Sequence, residues 1–233
     1  MNPYESPTFD VVAAQDETTR VSFVRKTYWH LAGAVAAFAL IEYMLLNAGL
    51  ENSVFSLLGA SKYSWLMVMG AFMGVSWIAE KWANSSTSLG MQYFGLSVYV
   101  VAQALIMLPL LMIANGMENG VIAKAGMVTV AMVLGLTLIA FTTRKDFSFL
   151  GGMLKIGGMV VIGVIVASFF LPITLGTWFS ALMILFASGS ILYSTSNIMY
   201  HYRTTQHVAA SLSLFAGVAL LFWYVLRLFM NRD

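Results

Sequence analysis

Long apolar stretches follow one another along the chain, each interrupted by a short segment of polar, charged or turn-forming residues. The pattern predicts helices over residues 28–48, 64–82, 89–114, 121–141, 149–171, 177–200 and 208–230. A run of about 20 apolar residues crosses a hydrocarbon core of roughly 30 Å at about 1.5 Å per residue. The connecting segments, 47–63, 83–88, 115–120, 142–148, 172–176 and 201–207, are too short to hold a second domain. The pattern therefore predicts an all-α integral membrane protein with a seven-transmembrane-helix domain over 27–233. Residues 1–26 read as a disordered tail, because Glu5, Asp10, Asp16, Glu17 and two prolines are the wrong composition for the positive start of a cleaved signal peptide.

Composition strengthens the membrane reading. Of 233 residues, 60% are hydrophobic and 9% charged, against about 25% charged in an ordinary soluble domain. Glycine (19) suits close helix packing and tryptophan (6) suits the headgroup interface, where Trp29, Trp65, Trp82 and Trp178 are expected at helix ends. The absence of cysteine removes disulfides, thiolate metal sites and cysteine nucleophiles from consideration. A net charge of +2 gives no ground for a nucleic-acid partner. With the N-terminus inside, Arg20, Arg25, Lys26, Lys81, Arg144, Lys145, Lys155 and Arg203 fall on the cytoplasmic side. Lys62, Lys124, Arg227 and Arg232 then fall outside, so the bias of basic residues favours an inside N-terminus and an outside C-terminus.

Polar residues within apolar helices are costly, and so they are the candidates for function. Glu42 and Lys155 are the clearest ionisable cases, either as snorkelling groups or as a buried pair. Ser190, Ser194, Asn197 and His201 follow at spacings of four, three and four and share one face of the sixth predicted helix. Gln92, Tyr99 and Gln103 line up on the third, and Ser213, Gly217, Tyr224 and Arg227 on the seventh. Such stripes serve either as a hydrated path for an ion or as hydrogen-bonding contacts between helices. Gly70 with Gly74, and Ser213 with Gly217, have the small-xxx-small spacing of helix packing.

The sequence contains no HExxH, P-loop, GxSxG or dinucleotide-binding fingerprint. Ser188 and Ser190 lie too far along the helix from His201 for a nucleophile and base, so no catalytic residue, cofactor or metal ligand is expected. No lysine lies in the last helix, which excludes a retinal Schiff base there.

Longer runs are more specific. Thr142-Thr-Arg-Lys-Asp-Phe-Ser-Phe-Leu-Gly-Gly-Met153 resembles a signature of the Bax inhibitor-1 family, particularly its bacterial YccA-like branch. Ser188-Gly-Ser-Ile-Leu-Tyr-Ser-Thr-Ser-Asn-Ile198 resembles that family's SGxILY(D/E)TSNI segment, and SLSLF at Ser211 and LFWYVLRLF at Leu221 continue the likeness. Phe23-Val-Arg-Lys-Thr-Tyr28 and His30-Leu-Ala-Gly33 resemble the start of its first helix. The resemblance implies six helices around a central seventh and a motif loop carrying Arg144, Lys145 and Asp146. It also implies two functions: modulation of a membrane AAA protease of the FtsH type or of a stress response, and a pH-sensitive leak of calcium or protons. The resemblance to leak members implies an acid on each of the last two helices, at positions occupied here by Ser194 and Gly217. Two close carboxylates share a proton and titrate near neutrality, which serine and glycine cannot do. The expected function is therefore a multi-pass regulator in a bacterial inner membrane acting by protein contact, with ion leak as the alternative.

Overall fold

The computed structural model describes residues 11–85, 88–117, 120–172 and 175–231, and all its extended elements are helical. They are α1 (Glu17–Leu46), α2 (Glu51–Gly59), α3 (Ser64–Ala83), α4 (Leu89–Asn115), α5 (Val121–Thr143), α6 (Leu150–Ser168), α7 (Thr177–Tyr200) and α8 (His207–Met230). Six of them, α1 and α4 to α8, are long and apolar enough to cross a membrane. The helices fall where the apolar runs predicted them, with two differences. Residues 51–59, expected as a connection, form the short amphipathic α2, entered through Gly49 at φ +67°. The first helix starts at Glu17 rather than near Tyr28, and Val12–Ala14 form a turn of 3₁₀ helix before it. Residues 11–26, expected within a disordered tail, are thus ordered; residues 1–10 lie outside the described residues.

The early start of α1 has a local cause. Asp16 holds extended backbone geometry at the N-cap, and the Thr18 hydroxyl donates to its carboxylate. Ser88 caps α4 by accepting from the Met91 N–H at 3.4 Å. Gly120 (φ +59°) turns the chain into α5, and Arg144 (φ +50°) turns it out.

The expected seventh helix, α8, is the most enclosed: α1, α3, α4, α5 and α7 all pack on it. Phe215 sits at its centre, fully buried, with Phe38 of α1 and Tyr99 of α4 edge-on to its ring at 6.0 and 6.1 Å. The arrangement differs from six helices around one, because α6 packs against α7 and leaves Met153, Ile156 and Met159 exposed. Apolar side chains exposed along α5, α6 and α7 make a surface suited to hydrocarbon rather than water. Trp29 and Trp178 are exposed as interface residues would be, whereas Trp65 stacks on Trp223 and Trp82 packs on Phe94.

Glycine marks the closest packing, at a position the spacing argument passed over. A Cβ at Gly95 of α4 would lie 2.5 Å from the Ala79 carbonyl oxygen and 2.6 Å from the Ala83 nitrogen of α3. Around Gly70 and Gly74 nothing lies within 4 Å of such a carbon, so that pair makes no helix contact.

Candidate functional site

The two positions at which the family resemblance implied acids lie on the packed faces of α7 and α8. Ser194 is buried, and its Oγ is 2.8 Å from the Oγ of Ser213, one turn before Gly217 on α8. Gly217 is buried against α7: a methyl there would meet Ile191 Cγ1 at 3.0 Å and Ser190 Oγ at 3.5 Å. Serine and glycine at these places allow close approach of the two helices through a neutral hydrogen bond. The stripe predicted on α7 does not run on unbroken from there. Asn197 is half-buried and its carbonyl oxygen accepts from the His201 and Tyr202 N–H groups, while His201 turns outward to a different partner.

That partner is the motif loop between α5 and α6. Asp146 Oδ1 accepts from the Ser148 N–H at 2.9 Å and the Ser196 hydroxyl at 3.2 Å, and Oδ2 lies 3.0 Å from His201 Nε2. The Phe147 N–H donates to Ser196 Oγ at 2.8 Å, and the Tyr200 hydroxyl donates to the Arg144 carbonyl at 2.7 Å. The Ser148 N–H, followed by the Ser148 side chain and His201, holds the Asp146 carboxyl below the usual carboxylate range. Three side chains on one end of α7 thus fix a loop whose Arg144 and Lys145 remain exposed. Sequence reasoning found Asp146 and His201 separately. It did not single out Ser196 and Tyr200, whose signals were the place of Ser196 in the Ser188–Ile198 run and that of Tyr200 next to His201.

The segment before α1 closes on the same end of the bundle. Val11 bridges to Arg203 and the Val12 N–H donates to the Tyr202 carbonyl at 2.9 Å, with the Val12 side chain fully buried. Nearby, His30 Nδ1 donates to the Lys26 carbonyl at 2.6 Å, and its Nε2 lies within hydrogen-bond distance of the Tyr93 hydroxyl at 2.8 Å. The ring of His207, which opens α8, stands edge-on to His30 at 4.9 Å.

The remaining polar candidates are dispersed. Gln92 is buried and its Nε2 donates to the Ser85 carbonyl at 2.8 Å, which ties α4 to the preceding connection. Gln103 is buried on α4. Arg227 Nη2 donates to the Leu175 carbonyl at 2.7 Å and fastens the end of α8 to the start of α7. Lys155 is exposed on α6 and Glu42 is buried on α1, and no ion pair joins them. Glu42 has no hydrogen-bond partner on either oxygen. Among the described residues no group of three His, Asp or Glu side chains converges on a point where a metal could bind.

A helical bundle with an apolar outer surface, a neutral α7–α8 seam and a charged loop fastened to one end defines a multi-pass membrane protein. The model of the family described as inhibitor of apoptosis-promoting Bax1 matches residues 20–233, and the chain belongs to this Bax inhibitor-1 family. It is similar to the Modulator of FtsH protease YccA of Escherichia coli (32% identical, covering 96% of this chain and 98% of that one). It is likewise 32% identical to an uncharacterized protein of Pseudomonas aeruginosa, over 94% of this chain and 92% of the other. An uncharacterized membrane protein of Vibrio cholerae is 27% identical over 92% of this chain and 97% of its own length.

Proposed function

We propose that the protein modulates a membrane AAA protease of the FtsH type by direct contact, from a position in a bacterial inner membrane. The observation that carries this reading is end-to-end similarity to a protein named for that activity, 32% identical over 96% of the chain. The Asp146 loop supplies a fitting contact, because α7 holds it rigidly while Arg144 and Lys145 stay exposed. Docking onto a preformed loop loses little conformational entropy. Residues 1–10 are a second handle, since Val12 anchors the chain beside that loop.

In this proposal α3 is the seventh span. Its 20 residues reach about 30 Å at ~1.5 Å per residue, and Glu80 and Lys81 stand in its last turn at the headgroups. The nine residues of α2 are too few to cross. With the N-terminus in the cytoplasm, as the bias of basic residues favours, seven crossings return the Arg144–Lys145 loop to the cytoplasm and leave the C-terminus outside. The calcium or proton leak lacks equal support, because Ser194 spends its hydroxyl on Ser213 and neither position carries a carboxylate.

The test is co-purification with epitope-tagged FtsH from membranes, paired with degradation of a membrane substrate by FtsH in liposomes. The full chain should co-purify and slow degradation, and Arg144→Glu with Lys145→Glu should lose both effects while inserting normally. Co-purification and slowing that survive both the loop variant and removal of residues 1–10 would exclude these contacts. Failure of the full chain to bind would exclude the function.

A further inference from the structure

At the end of the bundle away from Asp146, helices α1, α4, α5 and α8 line a half-open cavity of about 450 Å³. Phe38 of α1, Leu111 of α4, Ile122 of α5 and Phe222 of α8 form its walls. Glu42 lines it too, at 4% exposure, with no hydrogen-bond partner on either carboxylate oxygen. The Asp146 carboxylate, by contrast, has His201 as its partner at the other end.

A carboxylate removed from water without a partner carries a desolvation penalty that a cation in the cavity would offset. Apart from Glu42, Tyr43 and Asn115 the lining is apolar, and these three are too few for a calcium or magnesium site, which needs about six or more oxygen ligands. The cavity does match an ammonium ion bearing hydrocarbon: charge on the carboxylate, apolar substituents on the walls, and phenylalanine rings able to face the cation. The volume lies within the roughly 300–1,000 Å³ of small-molecule sites. We propose that this cavity binds an amphiphilic ammonium ion, paired with Glu42 and packed against Phe38, Leu111 and Phe222. The ammonium belongs either to a lipid headgroup or to a free hydrophobic amine. The site is separate from the protease contact and stands or falls without it.

Benzyltrimethylammonium titrated into the purified full-length protein in dodecyl maltoside, followed by calorimetry, tests the proposal. Saturable binding is expected for the parent. Affinity should fall about tenfold or more in Glu42→Gln, which loses the charge, and also in Ile122→Trp, which fills the space and keeps the charge. Elution volume and melting profile report that each variant is folded. Competition by phosphatidylethanolamine but not by phosphatidylglycerol assigns the site to a lipid headgroup; probe binding insensitive to both assigns it to a free amine. No saturable binding to the parent, or equal binding to Glu42→Gln, overturns the proposal.

Discussion

Gly95→Ala should be the most damaging single methyl in the protein. The added carbon would sit 2.5 Å from the Ala79 oxygen and 2.6 Å from the Ala83 nitrogen, with Trp82 Cβ at 3.0 Å, whereas ordinary contact begins near 3.4 Å. The first two atoms are backbone on one face of α3 and cannot rotate away, so α3 and α4 must part by about 0.9 Å. Overpacking of this kind costs about 1–3 kcal/mol, and the rigid neighbours place it near 3. Alanine returns up to about 1 kcal/mol in helix propensity, which leaves a net loss of about 2 kcal/mol. For a chain of 233 residues that is a fall of about 4–8 °C in melting midpoint. Thermal unfolding in detergent, read by intrinsic fluorescence, measures it. Gly70→Ala is the control: no atom lies within 4 Å of its new methyl, so its midpoint should stay level or rise. If Gly95→Ala melts together with the parent and with Gly70→Ala, α3 and α4 do not meet at this glycine, and the placement of α3 within the bundle is refuted.

Asp146→Asn should lower stability by about 0.5–1 kcal/mol at neutral pH, since the carboxylate is half-exposed and its bonds are screened. Because folding depresses the pKa of this carboxyl, its contribution is present above the ordinary carboxylate range and disappears as pH falls through the folded value. Melting scans from pH 7 to pH 3 should therefore show the parent descending to meet the variant; a constant gap between them would contradict the assignment. Ser194→Ala breaks the hydroxyl pair with Ser213 and should cost about 0.6 kcal/mol with no change in FtsH modulation, which thermal scans and the degradation assay read separately. Removing residues 1–15 strips Val12 from its buried seat and should cost about 1.5 kcal/mol or more, whereas removing 1–10 should leave the melting midpoint unchanged. Equal melting of the two truncations would show that Val12 contributes nothing.

Helix positions were legible because a span needs a long apolar run, and nothing short of that run satisfies backbone groups in lipid. The start of α1 was not legible, because Asp16 and Glu17 look alike in composition, and only the Asp16 backbone geometry and its Thr18 partner distinguish a cap from a tail. Spacing suggested Gly70 and Gly74 for packing while the real contact is Gly95, since a one-dimensional pattern does not say which face meets a neighbour. The same limit applies to the α7 stripe. Its period puts Ser190, Ser194 and Asn197 on one face, but His201 lies at the helix end, where the chain's next partner is a loop rather than a helix face. Glu42 and Lys155 were both visible as ionisable residues in apolar runs, yet α1 and α6 do not pack together, so the postulated pair has no means of forming.

The two ends of the bundle are built on different principles, and the difference bears on function. At the Asp146 end, side-chain and backbone hydrogen bonds lock the loop, the tip of α7 and the segment before α1 into one unit. Such bonds at the membrane surface are partly wet and individually weak, so their value lies in fixing geometry rather than in holding the fold together. A regulator that acts by contact needs such a fixed surface, and it needs no titrating pair in the α7–α8 seam. Serine and glycine at 194 and 217, where the family resemblance implies acids, then cost the proposed function nothing, and the neutral seam joins α7 to α8 through the Ser194–Ser213 hydroxyl pair. Restoring them with Ser194→Asp and Gly217→Asp separates the two functions: pH-dependent calcium entry into liposomes should appear only if the acids alone suffice for the leak, whereas FtsH modulation should persist in either case. Loss of FtsH modulation in a folded double variant would place the contact surface on the seam and not on the Asp146 loop.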